Sequence, residues 1–220
     1  MIITLPSIDC TIDTTDCAVE LIIENPKALL SILESISFQI DGNDGKVVLS
    51  RNNSIVPISK NLELLTVFSP FEINRKNLAN RLVSRLIEES VSENMYESTI
   101  ELRNQIEEFC LNLSSELIGS IEFRHCTIEM LIKGMSPYFE DSHGLLIEKL
   151  SDYFDLVREY ERDKLFVLYN LRSLISDADF KALVADINKK SIEVVFIESL
   201  ERASVEGIKR IIVDIDLCMI

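Results

Sequence analysis

The fold of this chain is decided by residues Lys164–Ser199, which read KLFVLYNLRSLISDADFKALVADINKKSIEVVFIES. The stretch begins and ends with apolar runs, Leu165–Tyr169 and Val194–Ile197. Uninterrupted runs of this length, rich in β-branched and aromatic residues, are typical of strands that are covered on both faces. Between them, four apolar residues recur at i, i+3, i+4 and i+7 and predict one apolar face of a helix: Phe180, Leu183, Val184 and Ile187.

The ends of this helix carry the expected signals. Ser176 is a good N-cap residue, and Asp177 and Asp179 place negative charge in the first turn, where the helix dipole favours it. Lys189 and Lys190 close the last turn. The stretch therefore predicts a strand–helix–strand unit with parallel strands and a right-handed crossover. The rest of the chain must extend that sheet or cover it.

Short apolar segments elsewhere predict further strands. Ile2–Leu5 and Ala18–Ile23 come early in the chain, and Arg210–Ile215 gives a last strand on which Asp214 and Asp216 would share one face. Such a pair could hold a hard cation, although charge on an exposed edge strand is the simpler interpretation. The segments Ser37–Ile40 and Lys46–Leu49 flank the turn sequence DGNDG and predict a hairpin.

The middle of the chain has a different character. Two helical patterns open at Asn74 and Asn94, and a third follows without a strand of any length between them. The sequence therefore predicts an α/β head domain with a mostly parallel sheet, interrupted by a helical insert. The predicted limits are 1–70 and 135–220 for the head and 71–134 for the insert.

Composition limits the class of protein. Of the 220 residues, 47% are hydrophobic, which is enough for a sizeable core. No apolar run approaches the roughly 20 residues of a membrane helix, and the N-terminal sequence lacks the pattern of a signal peptide. The five cysteines are widely spaced without a CxxC motif and indicate reduced thiols. We therefore expect a cytoplasmic protein without a membrane partner.

The charge is distributed unevenly along the chain. The net charge is −15, which by itself argues against a nucleic-acid partner. Between residues 46 and 85, however, seven basic residues stand against only Glu63 and Glu72. Two of the seven, Arg75 and Lys76, fall in the first turn of a predicted helix, where cations oppose the helix dipole. A solvated surface is one explanation of this segment, and a binding surface is the other. The seven are Lys46, Arg51, Lys60, Arg75, Lys76, Arg81 and Arg85.

Motifs for catalysis are absent from the sequence. The nearest match to a phosphate-binding loop, Gly42–Lys46, is two residues too short, and Val47 stands where a Walker loop needs Ser or Thr. His125 lies next to Cys126, but neighbours in sequence do not make the base–nucleophile contact of catalysis. His143 has no partner that the sequence identifies. We therefore predict that the chain is not an enzyme and binds no nucleotide.

Several segments resemble, in order, a known family: the small accessory protein of type II-A CRISPR adaptation modules, the partner of the spacer-acquisition integrase. TIEMLIKG at Thr127–Gly134 resembles the family's helix TILELIKSLG, and KLFVLYN at Lys164–Asn170 resembles its strand KKLLIFVN. Ile175–Asp179 resembles its LTKDE helix start, and Ile192–Ser199 its TVLFLEP strand. Leu64–Asn74 and the helix after it resemble its LVTDILGFDVN segment. The pattern covers most of the chain beyond residue 60.

The resemblance implies a fold and a function. The head of the family resembles P-loop NTPase and ABC-like domains without Walker motifs, and a helical leg is inserted into it. The family forms a homotetrameric ring with a basic central hole, binds double-stranded DNA ends in antiviral spacer acquisition, works with the CRISPR integrase and effector nuclease, and is not an enzyme.

The resemblance also implies site residues. Lys133 matches the lysine of the family's LIKSLG segment, and Arg51 and Lys60 lie in a region that the family also makes basic. With the rest of the basic segment, the predicted DNA-binding residues are Lys46, Arg51, Lys60 and Lys133, followed by Arg81 and Arg85.

The resemblance implies calcium binding, but this sequence lacks most of the carboxylates that the family has in its calcium-rich segment. Where the family's calcium-rich segment reads LENELDLEYDE, this chain has SELIGSIEFRH, in which only Glu116 and Glu122 keep their carboxylates. They are the candidate metal ligands, and we expect little or no calcium binding.

Two other functions fit the residues less well. One is a degenerate ATPase-like enzyme that still turns over a nucleotide, against which the missing Walker residues argue. The other is a protein–protein adaptor whose basic segment meets an acidic partner and never contacts DNA. Salt-dependent binding to duplex DNA distinguishes the adaptor from the DNA-binding protein.

Overall fold

The computed structural model describes residues 1–141 and 144–220, which form two compact units. The head unit consists of Met1–Glu72 and Ser142–Ile220, and the helical unit consists of Ile73–Asp141. The sequence-based domain limits of 71–134 stay a prediction, because compactness alone does not test whether a segment folds independently.

The first part of the head unit contains six strands and two α-helices. They are β1 (Ile2–Leu5), β2 (Cys10–Asp13), β3 (Val19–Ile23), α1 (Pro26–Ile40), β4 (Val48–Arg51), β5 (Ser54–Ile55), α2 (Ile58–Asn61) and β6 (Leu62–Leu65). The helical unit contains α3 (Lys76–Ser90), α4 (Tyr96–Ser115) and α5 (Ile128–Met135). The chain then completes the head unit with α6 (Leu146–Tyr160), β7 (Leu165–Tyr169), α7 (Asp177–Lys189), β8 (Val194–Glu198) and β9 (Lys209–Val213).

The main sheet has five parallel strands in the order β6-β7-β8-β3-β9. The predicted strand–helix–strand unit is confirmed, since β7 and β8 pair in parallel with Val167 opposite Val195. The hydroxyl of Ser176 accepts a hydrogen bond from the backbone N–H of Asp179, as the capping pattern indicated. The α/β fold class is therefore the one that the sequence predicted.

Burial explains why the strands are continuous apolar runs. Every residue of β3 is buried, and so are the first four residues of β7. The ring of Phe180 on α7 packs edge-on against Phe196 on β8, with 4.8 Å between the ring centres. Full burial of such a side chain contributes roughly 1.5–3 kcal/mol, so the centre of the sheet holds the head unit together.

The predicted hairpin around DGNDG is wrong. Its first arm, Ser37–Ile40, is the last turn of α1, and its second arm leads into β4 of a separate antiparallel sheet with the order β2-β1-β4-β5. Ile32 and Ile36 are both buried on one face of the helix. The helical spacing of these buried residues carries α1 past the point where a strand was expected.

The helix starts of the helical unit also differ from the prediction. Asn74 does not cap α3, because its amide group pairs with the backbone of Phe139, donating to the carbonyl at 2.9 Å and accepting from the N–H at 2.8 Å. The N-cap position of α3 is Arg75, and that of α4 is Met95 rather than Asn94. Long-range pairing of an Asn side chain can replace the local capping bond that its sequence position suggests.

The last strand ends earlier than predicted. β9 stops at Val213, so Asp214 and Asp216 do not share the face of a strand. The carboxylate of Asp214 instead accepts the backbone N–H groups of Asp216 and Cys218, at 2.9 and 2.8 Å, and closes a turn. Among the described helices, none combines the length and the apolar character needed to cross a bilayer.

Candidate nucleic-acid interface

Three of the predicted DNA-binding residues belong to the head unit. Lys46 lies in the loop between α1 and β4, Arg51 ends β4, and Lys60 lies in the last turn of α2. Lys46 and Lys60 are exposed, and neither has an ion-pair partner within the described ranges. Both ammonium groups are therefore open to an anionic ligand.

The loop that presents Lys46 is fixed to α1. The side-chain amide of Gln39 accepts from the backbone N–H of Val47 at 2.9 Å and donates to its carbonyl at 3.0 Å. Gly45 lies so close to the Gln39 side chain that a Cβ atom there would collide with it. A side chain at position 45 would have to displace Gln39 and so disturb the hydrogen bonds that hold Val47 next to Lys46.

Arg51 lies in a different environment, at the wall of a cavity of about 480 Å³. Its guanidinium donates to the Glu193 carboxylate and to the Asp163 carbonyl, both at 3.3 Å. An arginine already paired in this way must exchange its partners to contact a phosphate. It is therefore a weaker DNA candidate than Lys46 or Lys60.

The same cavity contains two cations that the sequence analysis missed, Arg158 and Lys164. Arg158 binds the Asp163 carboxylate at 3.2 Å and the Lys190 carbonyl at 2.8 Å. Lys164 pairs with Glu63 at 3.3 Å. The sequence does contain a signal for Lys164, which immediately precedes β7. The amino ends of neighbouring parallel strands meet at one edge of a sheet, so residues just before the strands are expected to lie close together there.

The other three predicted residues belong to the helical unit. Arg81 and Arg85 lie on α3, and Lys133 lies near the end of α5. Lys133 pairs with Glu129 at 2.6 Å and Arg85 with Glu88 at 3.6 Å, both on exposed helix surfaces. Exposed pairs of this kind are worth little, so a phosphate could displace them. Arg81 is exposed and has no ion pair in the described part of the chain.

A buried ionic cluster within the main sheet was not found by sequence reasoning. Arg172 is only 1% exposed, and its guanidinium donates to Glu20 of β3 at 2.7 Å and to Asp177 at 2.6 Å. Arg210 of β9 donates to the other oxygen of Glu20 at 2.8 Å. Both arginines also donate to the Ala203 carbonyl and so tie the β8–β9 loop to the sheet. These residues are far apart in sequence, so no local pattern could reveal them.

Glu198 ends β8 beside this cluster and is 2% exposed. Its carboxylate accepts the backbone N–H of Arg172 at 3.1 Å. Burial raises the pKa of Glu198 to about 7, the hydrogen bond from Arg172 acts in the opposite direction, and the negative charge of Glu20 adds to the rise. Glu198 therefore changes charge near neutral pH.

The candidate metal ligands do not form a cage. Glu116 is the C-cap residue of α4, and Glu122 lies in the irregular segment before α5. Within residues 1–141 and 144–220, no three His, Cys, Asp or Glu side chains come together as a metal site would require. Calcium commonly takes six to eight oxygen ligands, more than these two carboxylates supply, and little or no calcium binding stays a prediction.

The other candidates for chemistry have structural surroundings. Gly42–Lys46 joins a helix to a strand, whereas a phosphate-binding loop joins a strand to a helix. The ring of His125 lies 2.9 Å from the Glu107 carboxylate, which also accepts the backbone N–H of Cys126. All five cysteines are free thiols. His143 lies outside the described residues.

Taken together, the fold defines a class: an α/β protein with a parallel five-stranded sheet, a separate helical unit and exposed cations on both. The family model described as CRISPR-associated protein (Cas_Csn2) matches residues 39–217. The chain belongs to this family of CRISPR-associated proteins, which agrees with the resemblance seen in the sequence.

A solved structure has the same fold. The crystal structure of Stu0660 of Streptococcus thermophilus matches with a TM-score of 0.59 and 15% sequence identity, covering 91% of this chain and 69% of that chain. At this identity the likeness concerns the fold alone. No curated protein matches the sequence.

Proposed function

We propose that this CRISPR-associated chain is a non-catalytic protein that binds double-stranded DNA ends as a homotetrameric ring during type II-A spacer acquisition. The observation that carries the proposal is membership of the Cas_Csn2 family over residues 39–217. The integrase and the effector nuclease of the CRISPR system are the proposed protein partners, and the cytoplasm is the proposed place of action.

The distribution of charge supports DNA binding by an assembly rather than by one copy. A chain with net charge −15 repels DNA except where cations are gathered locally. Strong salt dependence typically reflects roughly 6–10 phosphate contacts, more than Lys46, Lys60 and Arg81 supply in one copy. A closed symmetric assembly multiplies the same cations around one axis.

The local structure supports a function without catalysis. The nearest match to a phosphate loop, Gly42–Lys46, joins a helix to a strand and lacks the Walker residues. We expect the purified protein neither to hydrolyse ATP nor to cut DNA with magnesium or calcium present. Turnover that a point change in this chain abolishes would contradict this part of the proposal.

A competition assay tests the ring. A closed ring admits DNA only from an end, so a linearised plasmid should displace a labelled short duplex, whereas the same plasmid in supercoiled form should not. Sequence preference should be weak, because phosphate contacts carry no base information. Equal competition by both forms, or a monomer that binds as tightly as the assembly, would refute the ring.

A further inference from the structure

The cavity beside Arg51, which we call the amino-edge cavity, lies in the head unit at the amino ends of β7 and β8. Three chain segments meet there: residues 50–53 where β4 turns into β5, residues 163–164 before β7, and residues 191–193 before β8. Its volume of about 480 Å³ falls within the roughly 300–1,000 Å³ that is typical of small-molecule sites. Lys46 and Lys60 are not among the residues that line it, so the proposed DNA contacts leave this cavity unexplained.

Two arginines from different elements reach the same residue in the wall of the cavity. Arg51 of β4 donates to the backbone carbonyl of Asp163 at 3.3 Å, and Arg158 of α6 donates through Nε to its carboxylate at 3.2 Å. The two guanidinium groups therefore flank Asp163. A guanidinium group is planar and presents its N–H groups as a fork, which matches the paired oxygens of a phosphate or a carboxylate.

The present contacts of these arginines with carboxylates are long. Arg51 lies 3.3 Å from Glu193 and Arg158 lies 3.2 Å from Asp163, whereas charge-assisted hydrogen bonds are usually about 2.7–2.9 Å. In the buried cluster of the same unit, Arg172 reaches its two carboxylates at 2.6 and 2.7 Å. The side chains of Arg51 and Arg158 are also 33% and 38% exposed, so water weakens both pairs. An anion with better geometry can therefore replace these carboxylates.

The two carboxylates do not become isolated buried charges when the arginines leave them. Glu193 also binds the terminal amino group of Met1, and the side chain of Asp163 is 61% exposed, so water can solvate it. The usual obstacle to opening an ion pair, a buried charge without a partner, is therefore absent at this site. Arg158 keeps its hydrogen bond to the Lys190 carbonyl at 2.8 Å, which holds its guanidinium at the cavity.

Neutral polar side chains of the cavity have unused hydrogen-bonding capacity. Ser50, Asn52, Asn53 and Ser191 line it, and their side chains form no hydrogen bond within the described residues. Hydroxyl and amide groups supply both donors and acceptors, as the hydroxyl groups of a sugar require.

The charge of the site selects the anion. Two guanidinium groups match a phosphate monoester, which carries about −1.5 to −2 at neutral pH, better than they match a single carboxylate. We infer that the amino-edge cavity binds the phosphate monoester of a sugar. Arg51 and Arg158 hold the phosphate, and the neutral polar side chains contact the hydroxyl groups.

Calorimetric titration of the full chain with ribose 5-phosphate tests the inference. We expect saturable binding, weaker binding of inorganic phosphate because it lacks the sugar hydroxyl groups, and no detectable binding of unphosphorylated ribose. Arg158→Gln should weaken the binding of ribose 5-phosphate at least about tenfold, because it removes one of two charge-assisted contacts to the phosphate.

Arg162→Gln is the matched control, because Arg162 is exposed, lies four residues further on and does not line the cavity. It removes the same charge and should leave the affinity for ribose 5-phosphate unchanged. Circular dichroism monitors the fold, and Arg51→Gln replaces Arg158→Gln if the latter does not fold. Absence of binding by the wild-type chain would overturn the inference. Equal effects of Arg158→Gln and Arg162→Gln, or equal binding of ribose and ribose 5-phosphate, would overturn it too.

The same phosphate chemistry occurs in free sugar phosphates and at the phosphorylated 5′ end of a DNA strand, and a further measurement separates these two sources. Two short duplexes that differ only in their 5′-phosphates are compared on the wild-type chain and on Arg158→Gln. If ribose 5-phosphate binds and Arg158→Gln removes a preference for the phosphorylated duplex, the source is the DNA end. If ribose 5-phosphate binds and both duplexes bind equally, the source is a free sugar phosphate.

The inference does not rest on the proposed function, and the two can fail separately. DNA binding by a wild-type chain that does not bind ribose 5-phosphate would overturn the inference and leave the proposed function intact. Binding of ribose 5-phosphate without affinity for duplex DNA would do the reverse.

Discussion

At the scale of single residues, the head unit combines a buried charge network with a carboxyl group that is difficult to ionise. Arg172 bridges Glu20 and Asp177, and its guanidinium also lies over the ring of Phe180, 4.5 Å from the ring centre. The pair of Arg172 and Glu20 is its fully buried centre, and removal of either residue would leave the other charge buried with fewer partners. Glu198 lies next to this network, and its carboxylate accepts the backbone N–H of Arg172. Within the described residues it forms no ion pair with a basic side chain.

Glu198 makes stability depend on pH. Its pKa is about 7 in the folded state, above its ordinary value of 4.5, so the folded chain binds more protons than the unfolded chain between these values. The contribution is fully present below about pH 4.5 and is lost as the pH rises through 7. For a pKa raised by this much, the free energy of unfolding falls by on the order of 3 kcal/mol across this pH range.

Glu198→Gln tests this dependence. The amide oxygen of the new side chain can still accept the Arg172 N–H, and this side chain is uncharged at every pH. We expect the variant to gain stability relative to wild type between pH 5 and pH 8, measured by urea unfolding at each pH. Glu206→Gln, at an exposed position of the next loop, controls for the loss of one carboxylate. A stability difference that is constant across this range would contradict the prediction.

At the scale of elements, the strand–helix–strand unit is where sequence and structure agree most closely. Ser176 caps α7 in the structure as the pattern indicated, and the two flanking strands pair in parallel. The hairpin at Ser37–Ile40 failed because turn residues and short apolar runs do not distinguish a strand from the end of a helix. Asn74 failed as a cap because its partner, Phe139, is 65 residues away.

The cap of α7 has a measurable value. Ser176→Ala removes the acceptor for the Asp179 N–H and should cost about 1 kcal/mol. In a chain of this size, a loss of about 1 kcal/mol in the free energy of unfolding lowers Tm by roughly 2–4 °C. Ser98→Ala, at an exposed position inside α4, is the control and should change stability by less than about 0.5 kcal/mol. Equal effects in a thermal melt would show that the cap does not stabilise the head unit.

At the scale of the whole molecule, the acidic chain must present its cations where DNA can reach them. Lys46 and Lys60 meet this condition best, since both are exposed and have no ion pair within the described ranges. Lys133 and Arg85 begin in pairs with glutamates, and Arg51 is shared between two oxygen partners.

The salt dependence of DNA affinity tests these two lysines. Removing one phosphate-binding cation should lower the slope of log K against log salt by about one unit and weaken binding to all sequences alike. We therefore expect Lys46→Gln and Lys60→Gln to reduce both affinity and slope for a short duplex. Lys27→Gln removes an exposed cation from the acidic N-terminal segment and should change neither. If all three variants bind as wild type does, the DNA surface lies elsewhere.

Calcium gives a second test on the whole protein. A metal that binds only the folded state raises Tm by mass action. Since Glu116 and Glu122 stand without a third carboxylate nearby in the described chain, we expect little or no rise in Tm with added calcium. A large rise that Glu116→Gln together with Glu122→Gln removes would show that these residues do hold the ion.

The sequence by itself determined the α/β class, the parallel unit at Lys164–Ser199 and the cap at Ser176. Each of these depends on residues that are neighbours along the chain, where apolar spacing and capping chemistry act locally. Only the tertiary structure decided that Ser37–Ile40 is helical, that Asn74 binds Phe139, and that Glu20, Arg172 and Arg210 form one buried network. The helical end at Ser37–Ile40 is set by the burial of Ile32 and Ile36 in the core. The other two features join residues from distant segments, and their energies come from burial and pairing that exist only after the chain has folded.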